Sequence, residues 1–446
     1  MIQPASAISR SEAFRFWLKL GFISFGGPAG QIAIMHRELV EVRHWISEKR
    51  FMHALNYCMV LPGPEAQQLA TYLGWLMHGT LGGLVAGGLF VLPSFVILVA
   101  LSWLYVTFGA VPIIAGIFYG IKPAVTAIVL HAGWRIGGRT LRNPWLISIA
   151  VAAFVAIFAL SVPFPAIVLA AALIGYVGGR FAPHAFAMQS GHASQEVHAT
   201  AALIDDNTPV PAHAGFRWSR LLTVASVGVG MWLVAMAWLA TSGGLHATLT
   251  QMGWFFTKAA LLTIGGAYAV LPYVYQGAVE THQWLSASQM IDGLALGETT
   301  PGPLIMVVAF VAYLGGVANE VVAGNPFASG LLAASVVTFF TFLPSFIFIL
   351  VGAPIIETTR GNLQLSAPLN AITAAVVGVI VNLAMFFVWH VWWPKATAAA
   401  PFSGGLDLLA CVITLAAAVA LFRFKTNVIW VILVCGLLGA GKTLLA

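Results

Sequence analysis

Charge is scarce in this sequence. Only 8% of its 446 residues are Asp, Glu, Lys or Arg, against about 25% in an ordinary soluble domain. Such a chain cannot cover its surface with solvated side chains, which excludes a soluble globular protein. The mean hydropathy is +0.93, and several apolar segments exceed the ~20 residues needed to cross a bilayer. These properties predict an all-α polytopic membrane protein in contact with lipid.

Residues that carry metal or covalent chemistry are also few. The three cysteines, Cys58, Cys411 and Cys435, stand alone in apolar segments and predict neither a disulfide framework nor a metal site. The twelve histidines form no H-E-x-x-H pair. The sequence contains no paired acid–base or nucleophile constellation. We therefore expect no enzymatic activity, no cofactor and no bound metal.

Two features superficially suggest nucleotide or nucleic-acid binding. The stretch from Gly436 to Thr443 has the G-x-x-x-x-G-K-T spacing of a phosphate-binding loop. It ends an apolar span with no following helix to hold a phosphate, so we expect no nucleotide site. The net charge of +6 arises mostly from short inter-helix loops, where basic residues set membrane orientation. We therefore predict no nucleic-acid partner.

One pattern occurs twice in the chain, at a constant offset of 239 residues. A lysine, a glutamate, a tryptophan and a P-G-P held in one register are not expected by chance, so the protein consists of two homologous copies. A further motif, L-P-S-F, recurs at 92–95 and 343–346 with a shifted offset. The residues that recur are Lys19, Gly26, Gly27, Val40, Glu41, Trp45, Ser47, Leu55, Pro62, Gly63 and Pro64, matched by Lys258, Gly265, Gly266, Val279, Glu280, Trp284, Ser286, Leu294, Pro301, Gly302 and Pro303.

The repeat defines the predicted organisation. The first copy covers 12–180, a hydrophilic linker expected in the cytoplasm covers 181–220, and the second copy covers 255–446. An additional transmembrane helix at 221–241 lies between them. Each copy holds six apolar segments, so this odd helix turns the second copy upside down. The predicted fold is therefore an inverted repeat, as in many secondary transporters.

Loop charges give a partly independent indication of orientation. The loop 36–50 of the first copy carries Arg37, Arg43, Lys49 and Arg50, whereas the matching loop 276–289 has no Lys or Arg. The positive-inside rule puts the first loop in the cytoplasm and the second outside. This agrees with nine full spans and four re-entrant hairpins. Thirteen conventional spans are the alternative.

Each copy has two broken apolar segments, one at G-G-P or its counterpart and one at P-G-P. Helices that restart inside the membrane direct free backbone N–H groups and the positive end of the dipole at a common point, which suits an anion. Helix kinks and close packing are the alternative explanation. The predicted substrate-binding residues are Lys19, Ser24, Gly26, Gly27, Pro28, Pro62, Gly63, Pro64, Gln67, Lys258, Gly265, Gly266, Thr300, Pro301, Gly302 and Pro303.

Charged residues within apolar segments give two further predictions. Lys19 and Lys258 supply positive charge to an entering anion, or simply extend to the membrane interface. Glu65 and Glu298 are predicted to couple protons, because a carboxylate at a helix start competes with an anion for the same N–H groups. Ordinary stabilisation of the helix dipole is the alternative for both.

The motifs resemble those of the chromate ion transporter family. F-G-G-P-A-G at 25–30 and L-P-G-P-E-A-Q-Q at 61–68 are similar to its first half, and I-G-G-A-Y at 264–268 and T-P-G-P-L at 300–304 to its second. The resemblance implies export of chromate across the bacterial inner membrane, driven by the proton-motive force and conferring resistance. It also implies that the glycine–proline motifs and Glu65 belong to the transport pathway. Ala267 in place of Pro28, and Leu304 in place of Glu65, are departures that argue against equal roles for the two copies.

The residues themselves leave alternatives open. They indicate an anion transporter, but sulfate and other tetrahedral oxyanions have nearly the same geometry as chromate. An anion channel is a further alternative, distinguished by flux that does not saturate. The oligomeric state is open, with a homodimer among the options.

Overall fold

The computed structural model describes residues 8–25, 27–186, 202–205, 215–264, 266–359, 366–396, 400 and 402–445. Throughout these ranges the regular structure is helical, and Ile46 and Ile204 form an isolated β-bridge. The predicted all-α class is therefore confirmed. Gly26 and Gly265, both predicted site residues, lie outside the described residues.

The first copy begins with two helices on either side of the G-G-P motif. A π-helical turn, Arg37–Val42, continues the second of them, and a long helix with a kink at His78 and Gly79 follows the P-G-P motif. Both predicted helix breaks are confirmed. The helices are α1 (Arg10–Ile23), α2 (Gly27–His36), α3 (Glu48–Val60), α4 (Glu65–Phe108), α5 (Pro112–Thr140), α6 (Pro144–Leu160) and α7 (Phe164–Phe181).

The region predicted as a linker is described only in part. It contains a short helix, α8 (Pro183–Phe186), and residues 202–205. The latter pair with the loop before α3: Ile204 donates to the Trp45 carbonyl and accepts from the Ser47 amide, both at 3.0 Å. The additional helix follows as α9 (Trp218–Gly243). Its cytoplasmic location stays a prediction.

The second copy repeats the same sequence of elements. Its π-helical turn, Gln276–Thr281, lies 239 residues after the first at both ends, and so does α12 relative to α3. A loop at 319–325 replaces the kink of α4, which accounts for the shifted offset of L-P-S-F. The helices are α10 (Thr248–Leu262), α11 (Ala267–Tyr275), α12 (Ala287–Thr299), α13 (Val307–Ala318, preceded by a 3-10 turn, Leu304–Met306), α14 (Pro326–Thr359), α15 (Ser366–Trp392), α16 (Leu408–Phe422) and α17 (Val428–Leu445).

Six of the described helices, α4, α5, α7, α9, α14 and α15, are long and apolar enough to cross a membrane. Among the residues of α9, only Gly228 and Leu239 are buried, so this helix lies at the periphery with its apolar side chains exposed. The polytopic character of the chain is confirmed. The inverted orientation of the copies, and nine spans with re-entrant hairpins rather than thirteen spans, stay predictions.

The two copies interlock. Helix α5 of the first copy packs against α16 and α17 of the second, while α15 of the second packs against α6 and α7 of the first. The helices α4 and α14 also pack against each other. A chain assembled in this way has its copy–copy interface at its centre, where the broken helices meet.

The glycine-rich motif at the C-terminal end takes part in this packing. It lies within helix α17, where Gly439 meets the backbone of Gly116 and Gly120 on α5 closely enough to leave no room for a Cβ. Small residues permit such close approach of membrane helices. Lys442 in the same motif lies over the Tyr119 ring, with Nζ 3.7 Å from its centroid. A helical backbone packed on a neighbour does not form a phosphate-binding loop, which agrees with the expectation from the sequence.

Candidate functional site

Each P-G-P motif forms a backbone hydrogen bond with the broken helix of the other copy. The amide of Gly63 donates to the carbonyl of Thr263 at 2.7 Å, and the amide of Gly302 donates to the carbonyl of Ser24 at 2.8 Å. The two donors are 239 residues apart, and so are the two acceptors. The interface therefore contains the same contact twice, once from each direction.

Glycine is required at these breaks by backbone conformation. Gly27, Gly63, Gly266 and Gly302 have φ angles of +68°, +133°, +100° and +97°. Side-chain-bearing residues rarely adopt this region, whereas glycine does so at little cost. The two motifs thus have equivalent backbone geometry in both copies, which explains why glycine recurs there.

The P-G-P glycines also pack against the repeated L-P-S-F motif of the opposite copy. A Cβ on Gly302 would lie 2.7 Å from the Cβ of Ser94, and a Cβ on Gly63 would collide with Oγ of Ser345. Ser94 is in α4 and Ser345 in α14. Each half of the interface therefore combines a P-G-P glycine with a serine from the other copy.

Three buried glutamines are supplied by the first copy alone. Gln31 donates through Nε2 to the carbonyl of Gly302, Gln68 donates to the Pro62 carbonyl at 2.8 Å, and Gln67 donates to Thr71 Oγ1 at 3.0 Å. The equivalent positions of Gln31 and Gln68 in the second copy are Val270 and Val307. The backbone of the interface is pseudo-symmetric, but its polar side chains are not.

Several polar atoms of this interface have no hydrogen-bond partner within the described part of the chain. They are Ser94 Oγ, Ser345 Oγ and the Oε1 atoms of Gln31, Gln67 and Gln68. All five side chains are buried. Buried polar groups in folded proteins are nearly always paired, because an unpaired one costs about 1–3 kcal/mol. Five such atoms are therefore gathered at one interface between the copies.

Glu65 begins α4 at this interface. Its Oε1 lies 3.8 Å from the position that a Cβ on Gly266 would occupy, so the carboxylate faces the broken helix of the second copy. Among the described residues, no hydrogen-bond donor and no cation contacts this carboxylate. An anionic side chain at this helix start is stabilised by the dipole. Leu304 takes the equivalent place in the second copy.

Glu298 has a different environment. It accepts a hydrogen bond from the Tyr268 hydroxyl, and Arg135 lies within electrostatic range. The two glutamates predicted to couple protons are therefore not equivalent: Glu65 lies at a helix start with no partner among the described residues, whereas Glu298 is hydrogen-bonded near the end of α12.

Ser24 and Thr300, two predicted site residues, and Thr263, the counterpart of Ser24, donate their hydroxyl hydrogen bonds to carbonyls of their own segments. Ser24 Oγ donates to the Leu20 carbonyl at 2.6 Å and Thr263 Oγ1 donates to the Ala259 carbonyl at 2.7 Å, both within their own helices. Thr300 Oγ1 likewise donates to the Gly297 carbonyl at 3.2 Å. At Ser24 and Thr263, it is the carbonyls that join the two copies.

The predicted lysines lie at the surface of the chain. Lys19 and Lys258 are both exposed, and Nζ of Lys258 is 5.9 Å from the centroid of the Trp254 ring. Lys258 also borders a cavity that includes His282. Burial, together with the positive charge of Lys258, lowers the pKa of His282 in the loop after α11. His282 is therefore neutral at neutral pH and adds no second charge beside Lys258.

Two further polar clusters connect α3 and α12 to the long helices. Arg50 of α3 pairs with Glu357 of α14, which also accepts from the Tyr72 hydroxyl at 2.5 Å. Asp292 of α12 accepts from the Tyr105 hydroxyl of α4 at 2.9 Å, and Lys122 Nζ lies 3.4 Å from its Oδ2. Helices α3 and α12 occupy equivalent places in the repeat, and each is joined to long helices by such a cluster. The residues that form the two clusters are of different types.

Sequence reasoning missed Ser94, Ser345 and Gln31. The repetition of L-P-S-F was visible, but nothing in the sequence connected it to the P-G-P motifs, which lie about thirty residues earlier in the first copy and about forty in the second. Gln31 has no repeated partner and gave no signal.

Comparison with known proteins agrees with this architecture. The sequence model of the chromate transporter family matches residues 11–176 and 250–440, which correspond to the two copies. No solved structure matches the chain.

Curated relatives match over most of their length. A chromate transport protein of Pseudomonas aeruginosa is 34% identical over 97% of this chain and 92% of its own. One of Cupriavidus metallidurans is 30% identical over 85% of this chain and 82% of its own. A probable chromate transport protein of Synechococcus elongatus is 31% identical over 84% and 83%. The chain is a multi-pass bacterial membrane protein, and it belongs to the chromate transporter family.

Proposed function

We propose that this protein exports chromate across the bacterial inner membrane, driven by the proton-motive force, and so confers chromate resistance. The observation that carries the proposal is the reciprocal pair of bonds from Gly63 to Thr263 and from Gly302 to Ser24. These bonds join the breaks of both copies into one interface, and a transporter built from two copies is expected to bind its substrate there. The named relatives support chromate as the substrate.

In this proposal, the residues at the breaks line the substrate pathway. Helices α2, α4, α11 and α13 start at or just after the glycine–proline motifs, and the first N–H groups of a helix favour negative charge. The pathway residues are Ser24, Gly26, Gly27, Pro28, Pro62, Gly63, Pro64, Gln67, Gly265, Gly266, Thr300, Pro301, Gly302 and Pro303. Lys19 and Lys258, being exposed, attract the anion to the entrance.

Glu65 is the proposed proton-coupling residue. Its carboxylate has no described partner and occupies the helix start that an oxyanion would use. Protonation removes its negative charge and with it the repulsion of the substrate, so anion binding depends on the protonation state of Glu65. Glu298, which accepts a hydrogen bond from Tyr268, contributes less to proton coupling.

The test is uptake of labelled chromate into energised inside-out vesicles, with and without a proton gradient and with sulfate as competitor. Export in the cell corresponds to accumulation in these vesicles. We expect saturable chromate accumulation that collapses with the gradient. Accumulation of sulfate in preference to chromate would identify sulfate as the substrate. Flux without saturation would indicate a channel, and accumulation of neither anion would refute oxyanion transport.

A further inference from the structure

Two buried serines have unpaired hydroxyls at related places in the repeat. Ser94 and Ser345 are 0% and 1% exposed, and neither Oγ has a hydrogen-bond partner within the residues that the structure describes. Each follows the proline of its L-P-S-F motif. Serines inside helices usually donate to the carbonyl four residues earlier. Ser102 of α4 and Ser335 of α14 do so, at 2.6 and 2.7 Å.

Both serines lie against the other copy. Ser94 Oγ lies 3.3 Å from the position of a Cβ on Gly302, and Ser345 Oγ lies still closer to that of Gly63. The hydroxyls thus meet the same two glycines whose amides join the copies. A chance packing defect would not recur at both ends of a pseudo-symmetric interface.

A buried hydroxyl without a partner lowers the stability of the resting protein. Alanine has almost the same shape and carries no such cost, so packing alone does not account for serine at both positions. A partner that binds during the transport cycle does account for it.

We propose that Ser94 and Ser345 are substrate-binding residues, each donating its hydroxyl hydrogen bond to an oxygen of the transported tetrahedral oxyanion. This inference rests on the proposed function. A tetrahedral oxyanion presents acceptor oxygens in several directions, so one of them can accept the hydroxyl hydrogen bond of a serine in either copy. Neutral hydroxyls also suit a carrier, because they bind the ion without the strong attraction of a fixed cation, and the ion must be released.

The experiment compares Ser94→Ala and Ser345→Ala with Ser102→Ala and Ser335→Ala as matched controls on the same two helices. Thermal unfolding of the purified full chain is measured with and without chromate, and again with sulfate. The KM of chromate uptake is measured in inside-out vesicles. A hydrogen bond to an anion corresponds to a loss of about tenfold or more in affinity.

We expect both site variants to unfold at or above the wild-type temperature in the absence of ligand. We expect their anion-induced stabilisation to shrink and their KM to rise about tenfold, while the control variants keep the wild-type KM. A site variant that unfolds earlier or fails to fold would show that its hydroxyl has a structural partner, and would overturn the proposal. Wild-type values for both site variants would overturn it too.

The wild-type protein separates the two levels of the argument. Absence of oxyanion accumulation by the wild type would refute the proposed function. Normal wild-type accumulation, with KM values unaffected by either serine variant, would refute only the role of the serines.

Discussion

Arg50 and Glu357 form a buried ion pair that joins α3 of the first copy to the end of α14 of the second. Their side chains are 6% and 1% exposed, and Tyr72 donates a second hydrogen bond to the same carboxylate. Buried pairs of this kind contribute little net stability compared with an apolar replacement, but loss of one partner leaves an uncompensated charge. The pair therefore fixes the position of α3 against α14 of the second copy.

We expect Arg50→Met to destabilise the protein by ~3–5 kcal/mol, because Glu357 would remain buried without its cation. The double variant Arg50→Met with Glu357→Leu should recover much of this loss. Thermal unfolding in detergent measures both. Arg37→Met is the control, since Arg37 is 61% exposed and exposed pairs contribute at most about 1 kcal/mol. If Arg50→Met were as stable as Arg37→Met, Arg50 and Glu357 would not form a buried ion pair.

We expect Gly63→Ala and Gly302→Ala to lower chromate uptake by more than about tenfold. Both positions have positive φ, where a side chain costs about 1–3 kcal/mol, and both meet a serine of the opposite copy. The control is Gly88→Ala, because Gly88 lies within α4 and has no atom within 4 Å of an added Cβ. Uptake at wild-type rates by either site variant would show that the reciprocal contact is dispensable.

We expect Glu65→Gln to transport chromate with little response to a proton gradient, because the amide cannot take up and release a proton. Glu298→Gln can still accept from Tyr268 and should keep most of the response. Uptake into vesicles with and without an imposed gradient measures the difference. A Glu65→Gln variant that responds normally would refute proton coupling at this residue.

We expect Lys19→Gln and Lys258→Gln to slow chromate uptake at low ionic strength and to have little effect at high ionic strength. Both lysines are exposed, and attraction between an exposed charge and an ion is screened over about 8 Å at physiological salt. The measurement is the initial uptake rate across a salt series. An increase in KM that persists at high salt would instead place these lysines in the binding site.

The sequence by itself determined the class of the molecule and the places where its helices break. The low content of charged residues predicts a membrane protein, because the chain has too few polar side chains to cover a surface that faces water. Repetition of G-G and P-G-P identified the breaks, because glycine permits positive φ angles and proline fixes φ and lacks an N–H, whatever surrounds them. The two copies recur in the structure element by element, down to the π-helical turns 239 residues apart.

Only the tertiary structure decided which groups meet at those breaks. The amide of Gly63 reaches Thr263, and Ser94 reaches Gly302, through contacts between residues about 200 positions apart. No local pattern encodes such contacts, because they depend on how α4, α14 and the helix breaks of the two copies pack. The same packing left Glu65 without a partner among the described residues, paired Glu298 with Tyr268, and placed Lys19 and Lys258 at the surface. Residue type and spacing located the breaks, whereas packing across the copies determined which side chains surround them.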